Sequence, residues 1–379
     1  MPDSLKQLGL RIITGQSRSP AASLIRGAMS AIEPFYSAAM KLRNAGYNRG
    51  IFSTRDLGRP TISIGNITTG GTGKTPVVKW LADEMRRRGH RPAILLRGYA
   101  AAASGRSDEA QLLDQSLNAN QSVKVPVQAN PSRVRGAAEV LREHRDVTHF
   151  ILDDGFQHRR AKRDFNLVLI SATDPFGHER VLPRGLLREP LAGLGRADAF
   201  LITRCSLATV ERLSEVESFL CAGYPQTPIL HCDHVQSAVF LPGTGQTVPI
   251  ESLAKQRVFL SAGIGDPSAF ERQIAELNCQ IVGTKWFADH HGFTAAEVSS
   301  VLVSARSVHA DLVLTTEKDW VKIGPLISAY DAGVPFAVAR LEIRFHGNDA
   351  ERFIAGALLR DPQSDAGEYT GGNLVDEQY

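Results

Sequence analysis

What this chain lacks removes several broad classes of protein before any motif is read. Its four cysteines, Cys205, Cys221, Cys232 and Cys279, contain no C-x-x-C pair. That argues against a zinc site or a disulfide framework and for a reducing compartment. The net charge is only +3, from 43 basic and 40 acidic residues, too small a balance to point to nucleic acid. The first twenty residues, "MPDSLKQLGLRIITGQSRSP", have no long apolar core and no small-residue cleavage site, and so do not read as a signal peptide. The helical stretch Ala21–Arg43 is too broken by polar residues for a membrane span. One further absence is local. In "GNITTGGTGKTP" the strict phosphate-loop pattern G-x-x-x-x-G-K-S/T requires a glycine where Thr68 stands.

What is present is an alternating α/β pattern with room for two cores in 379 residues, 43% of them hydrophobic and 22% charged. From Thr61 onward, "TISIG", "RPAILLRGY", "THFILDDGF", "FNLVLISA" and "ADAFLITR" are near-continuous apolar strands separated by helical stretches. Such runs predict a parallel sheet covered on both faces. Around "TPILHCDHVQSAVFLPGTGQTVPI" the pattern shifts to short strands with Gly/Pro turns, an antiparallel connector. A second α/β pattern starts at "QRVFLSAGIGDPSAFERQIAEL", where Asp266 is expected to cap a helix with Pro267 in its first turn. "ADLVLTTEKDWVKI" adds a strand and a turn.

The expected organisation is therefore an N-terminal segment 1–50, a first α/β domain 51–228, a connector 229–255, a smaller α/β domain 256–360 and a polar, disordered tail 361–379. Within the first segment, Leu24, Ile25, Ala28, Met29, Ile32, Phe35, Tyr36, Ala39 and Met40 recur at helical spacing, with Arg26, Lys41, Arg43 and Arg49 on or beside that face. Periodicity alone favours a helix packed on a core, and a helix lying in a membrane interface is the other reading. Pro34 is expected to kink or split it.

The chemistry gathers at strand ends. Thr69, Gly70, Gly71, Thr72 and Gly73 let backbone N–H groups converge on an anion. Lys74 is placed to reach outer phosphates and Thr75 to offer a hydroxyl to Mg²⁺. The loop lies between a strand and a helix N-terminus, where the macrodipole also favours an anion. In "FILDDGFQH" an apolar strand ends in Asp153 and Asp154, a pattern that serves Mg²⁺ beside a phosphate loop. Gln157 and His158 follow and offer metal, water or phosphate contacts. Arg97, Arg133, Arg184 and Arg188 offer forks for phosphate oxygens. "LPRGLLREPL" reads as an ordered loop punctuated by Pro183, Gly185 and Pro190. Taken alone, Asp108-Glu109 reads as an acidic helix N-terminus, and of the adjacent His290-His291 pair at most one faces a given site.

Together "GNITTGGTGKTPVV", "LLRGY", "SDEAQLL", "ILDDGFQH", "LPRGLLREPL", "AGIGDPSAF", "FADHHGF" and "TTEKDWVKI", in that order, resemble the tetraacyldisaccharide 4'-kinases, the lipid A 4'-kinases. The resemblance runs from the N-terminal helix to about "EKDWVKI", and that family's loop also lacks the first glycine. It implies a P-loop NTPase-type parallel-sheet domain with a second, smaller α/β domain. It also implies transfer of the γ-phosphoryl group from Mg·ATP to the 4'-hydroxyl of tetraacyldisaccharide 1-phosphate. On this resemblance Lys74 and Thr75 are the phosphate and magnesium residues, and Asp153 and Asp154, with Gln157 and His158, the acidic magnesium motif. Asp108 falls on the catalytic aspartate with Glu109 its neighbour, and His290 on the histidine acting with that aspartate. Arg133, Arg188 and Glu189 match further cleft positions. Ser107 and Ala110 stand where the family carries glycine and proline, and Asp266 where asparagine is usual. An acylated substrate implies an enzyme at the membrane surface, on the cytoplasmic face of the inner membrane where ATP is available. It implies no obligate protein partner. The alternative is a membrane-peripheral P-loop switch ATPase, but those carry a signature lysine at the head of the loop, where this chain has Thr69.

Overall fold

Strand β1 (Thr61–Asn66) is buried along its whole length, and so are β2 (Pro92–Leu96) and β4 (His149–Asp153). With β3 (Val127–Ala129), β5 (Phe165–Ser171) and β6 (Ala199–Thr203) they form a parallel sheet in the order β3-β2-β4-β1-β5-β6. The computed structural model describes residues 9, 11–69, 71–98, 108–118, 121–289, 291–327 and 333–358; the tail expected from 361 lies outside them. Strand alternation feeds two cores. Leu167 and Leu169 of β5 join one face, with Val77, Leu81 and Met85 of α2 (Lys74–Arg87) and Leu113 of α3 (Asp108–Asn118). Val168 and Ile170 join the other, with Val216 and Leu220 of α5 (Val210–Gly223). Helix α4 (Arg133–Glu143) covers Ala93 and Leu95 on that second side of β2. Burial on both faces is why these strands read as continuous apolar runs.

The sheet does not stop at the end of this unit. Strand β7 (Ile229–Leu241) begins parallel to β6 and runs antiparallel to β12 (Phe336–Phe345), while β8 (Gln246–Pro249) folds back on it. Beyond β12 lie β11 (Leu312–Thr316), β9 (Arg257–Ala262) and β10 (Gln280–Trp286), parallel to one another, which makes one open sheet of twelve strands. Helices α6 (Pro267–Ala275) and α7 (Ala295–Ser307) cover opposite faces of this second part. Asp266 caps α6 through Ala269 N–H at 3.0 Å with Pro267 in the first turn, as its sequence predicts. "EKDWVKI" is not a turn but the helix α8 (Glu317–Ile323), capped by Thr316.

At the start of the chain, α1 (Pro20–Asn48) is one helix of 29 residues that runs through Pro34 without being split. Ser19 caps it and Pro20 occupies the first turn, where a missing N–H costs nothing. No helix among the described residues is long and apolar enough to cross a membrane. The last helix, α9 (Asp349–Leu358), returns to pack against β7 and joins the first core through Phe353, Ile354 and Ala357, with Phe353 against Phe165 of β5 and Phe345 of β12.

Candidate active site

Between β1 and α2 the chain makes a loop that its own ends hold in shape. Gly73, the N-cap of α2, sits at φ +78°, a left-handed conformation that glycine adopts without a Cβ penalty. A Cβ there would lie 1.9 Å from His234 Nε2. No side chain caps α2, so the backbone donors of its first turn are left for a ligand, as at other anion-binding helix N-termini. At the loop's other end, the N–H and hydroxyl of Thr69 both donate to Leu186 O, at 2.6 and 3.1 Å. Thr69 is therefore tied to the "LPRGLLREPL" loop, and the amides that can meet an anion come later in the sequence. Asn66, which sequence reasoning passed over, organises the interior: its amide donates to Thr68 O at 2.9 Å, and its Oδ1 accepts Lys74 Nζ at 3.0 Å. A short amide as the last residue of the strand was the available signal.

The two carboxylates at the end of β4 point into different environments. Asp153 is buried, its Oδ1 has no hydrogen-bond partner among the described residues, and burial pushes its carboxyl up to about 7. Glu109 and Asp154 push in the same direction, while Lys74 and Arg133 oppose them. Asp154 holds a positive φ of 51°, which turns its side chain onto Lys74 Nζ at 3.3 Å and Arg188 Nη1 at 2.8 Å. Burial raises that carboxyl too, but the two cations outweigh it and the group ends below its ordinary range. His158 is pushed down to about 4, first by burial and then by Arg133 and its neighbouring arginines, so its imidazole is neutral.

This donor set fits Mg²⁺. Among the described residues no cluster of three or more His, Cys, Asp or Glu could cage an ion. Magnesium, however, binds through one or two carboxylates together with substrate phosphates and water. A buried carboxylate oxygen without a partner at the mouth of a phosphate loop is what such an ion needs. Asp153, with Asp154 beside it and Thr75 in the first turn of α2, would hold it.

Behind the carboxylates lies a hydrogen-bonded polar layer centred on Glu189. Glu189 is 0% exposed and accepts from Asn44 at 2.7 Å, Gln157 at 3.1 Å and Arg196 at 2.8 Å. Gln157 also donates to Asn66 O, and its Oε1 accepts from Arg188 at 3.3 Å. Arg133, 2% exposed, donates to the carbonyl of Asp153 at 3.1 Å. Helix α1 closes this layer: Tyr36 donates to Arg188 O at 2.8 Å and Arg43 to Gln157 O at 2.6 Å. Sequence reading gave α1 a membrane role and missed Asn44, Tyr36 and Arg43 as supports of the site, since nothing local marks a contact made across more than a hundred residues.

Lys74, Glu109, Arg133, Asp153, Asp154, Gln157, His158, Arg188 and Glu189 are thus gathered at one place. Gly70, His290 and the side chain of Asp108 lie outside the described residues. Helix α8 contacts the described segments next to Asp108 and His290. It packs against α3, whose first residue is Asp108, and its Lys318 pairs with Asp289 at 2.6 Å. Lys322 donates to His291 O at 3.1 Å, so both neighbours of His290 are held by one helix.

Comparison with known proteins places these observations in one family. The family model described as tetraacyldisaccharide-1-P 4'-kinase matches residues 25–359. The chain is 36% identical to the tetraacyldisaccharide 4'-kinase of Geobacter metallireducens over 318 residues, 80% of this chain and 90% of that protein. It is 31% identical to the enzyme of the same name from Halothermothrix orenii over 373 residues, covering 92% and 96% of the two chains. Its structure is similar to a crystal structure of LpxK from Aquifex aeolicus in complex with ATP, with TM-score 0.68 and 26% identity over 89% of this chain and 99% of that one.

Proposed function

The chain belongs to the tetraacyldisaccharide 4'-kinase family, and from that premise we propose how its own residues divide the work of phosphorylating the 4'-hydroxyl of tetraacyldisaccharide 1-phosphate with ATP. The observation that carries the assignment is the meeting of Lys74, Asp154 and Arg188 beside the buried, unpartnered Oδ1 of Asp153 at the end of the phosphate loop. Phosphoryl transfer asks a protein chiefly for positioning and for stabilisation of charge. Bound Mg²⁺ would supply charge neutralisation on the phosphate oxygens. Lys74, which Asp154 and Asn66 hold in place, is the residue proposed to meet the outer phosphates. Arg188 shares Asp154 with Lys74 and offers a second cation at the same point. Asp108, at the start of α3, is the group assigned to accept the sugar hydroxyl's proton, with His290 supporting it.

The membrane is the proposed source of the acylated substrate, from the cytoplasmic face of the inner membrane. Leu24 (78% exposed), Phe35 (77%) and Leu42 (73%) project from α1, the helix whose other side supports Gln157, Arg188 and Glu189. An apolar helix face between basic residues suits the headgroup region of a bilayer. The same helix would then bring the cleft to the surface from which the lipid is drawn.

The test is transfer of labelled γ-phosphate to tetraacyldisaccharide 1-phosphate in mixed micelles with Mg²⁺. Lys74→Ala and Asp153→Asn are each expected to lower kcat by about 10²–10³. Retention of transfer by Lys74→Ala would remove the loop from the chemistry. ATP hydrolysis without any lipid product would give the protein to the switch ATPases.

A further inference from the structure

Three successive carbonyls of the phosphate loop are each bound by a side chain on, or directly after, a strand of the sheet. Gly71 O accepts from Arg204 Nη2 at 2.9 Å, Thr72 O from Thr203 Oγ1 at 3.2 Å, and Gly73 O from His234 Nε2 at 3.2 Å. Thr203 ends β6, Arg204 follows it at a left-handed φ of 60°, and His234 lies on β7. A carbonyl can only accept, so His234 carries its proton on Nε2. Its Nδ1 is then a bare acceptor, buried and without a partner among the described residues. Thr203 is 0% exposed. None of these three residues belongs to the loop or to the carboxylate cluster.

Their effect follows from peptide geometry. A trans peptide unit is planar, so the N–H of one residue points opposite to the C=O of the residue before it. Fixing the carbonyls of Gly71, Thr72 and Gly73 therefore fixes the N–H directions of Thr72, Gly73 and Lys74, and aims them away from the sheet donors. Consecutive N–H groups aimed to one side form an anion-binding concavity. Left to itself, a loop with glycine at positions 71 and 73 would sample many conformations, and ordering it would fall to the ligand.

We infer that Thr203, Arg204 and His234 are positioning residues that preset the phosphate loop for the triphosphate of ATP, although none of them touches it. This rests on the reading of that loop as the ATP site. The far part of the sheet also enters, since the carbonyl of His234 accepts Gln273 Nε2 of α6 at 2.7 Å. The pull on Gly73 is thereby linked to α6.

The experiment measures ATP affinity of the full chain with Mg²⁺ by calorimetry, together with KM for ATP, KM for lipid and Tm. Thr203→Val and His234→Leu remove a donor at nearly constant volume, and each is expected to weaken ATP binding about 5–30-fold with the lipid KM unchanged. Thr203→Ser and His234→Gln restore a donor and are expected to return ATP affinity to within about threefold of the parent. Arg204→Met, at a less buried position, carries the test should either buried variant fail to fold. Variants with the parent's Tm and undiminished ATP affinity would overturn the inference, and so would a loss that the donor-restoring variants fail to reverse. A parent chain that binds no ATP would instead overturn the reading of the site.

Discussion

At the scale of single residues, the site works by giving chemically equal groups unequal surroundings. Asp153 and Asp154 are adjacent, yet one has no cation within pairing distance in the described structure and is pushed up to about 7, while the other is shared by Lys74 and Arg188. Glu189 illustrates a buried charge that is tolerable only because every oxygen is used. Replacing it by alanine strands Arg196, Asn44 and Gln157, and should cost about 3–5 kcal/mol of stability in urea unfolding. His234 gives a pH signature. Burial lowers its folded pKa to about 4, below its ordinary value of 6.5, so between those values the unfolded chain binds the extra proton. Its contribution to stability is complete above pH 6.5 and is lost as pH falls towards 4. The parent's Tm should therefore fall more steeply over that window than the Tm of His234→Gln, and parallel slopes would refute this.

At the scale of elements, α1 presents two different surfaces. One side holds the site through Tyr36, Arg43 and Asn44, and another exposes Leu24, Phe35 and Leu42. Deleting the helix would confound its support of the site with its proposed membrane contact, so substitutions on the exposed side make the cleaner test. Burying a large apolar side chain is worth about 1.5–3 kcal/mol. Leu24→Asp with Phe35→Asp should thus lower partitioning to anionic vesicles about 100-fold or more, with Tm and activity on a detergent-dispersed substrate unchanged. Equal partitioning of the double variant would remove α1 from the membrane. Helix α8 is a second element with more than one task, since Glu317 pairs with Lys79 of α2 at 3.5 Å while Lys318 and Lys322 hold the residues around His290.

At the scale of the whole molecule, the two α/β patterns share one sheet because β7 is long enough to pair with both sides. Its thirteen residues run parallel to β6 at one end and antiparallel to β12 along most of their length. Helix α9, near the end of the chain, then packs on the core beneath the phosphate loop, where Phe353 meets Trp80, Phe165 and Phe345. Phe353→Ala should cost about 3–5 kcal/mol. The unfolding should remain a single transition, since the strands of both parts are hydrogen-bonded into one sheet. Two separated transitions by calorimetry would show that the parts unfold independently.

The sequence is enough for the local features of this protein. Apolar runs separated by helical stretches specified a parallel sheet, G-K-T after a strand specified the phosphate loop, and the Asp266-Pro267 pair specified a helix start, because each depends on residues close along the chain. It also brought nearly all of the cleft residues into view through the ordered motifs. What it left to the tertiary structure are contacts between distant segments. No pattern near Asn44 anticipates Glu189, and none near Thr203 or His234 anticipates the loop carbonyls they bind. Such pairs form only when the sheet order sets β6 and β7 beside the loop and lays α1 across the site. The "EKDWVKI" segment reads as a turn in the sequence for the same reason. Its seven residues are too short to declare a helix by period, and its neighbours decide its form.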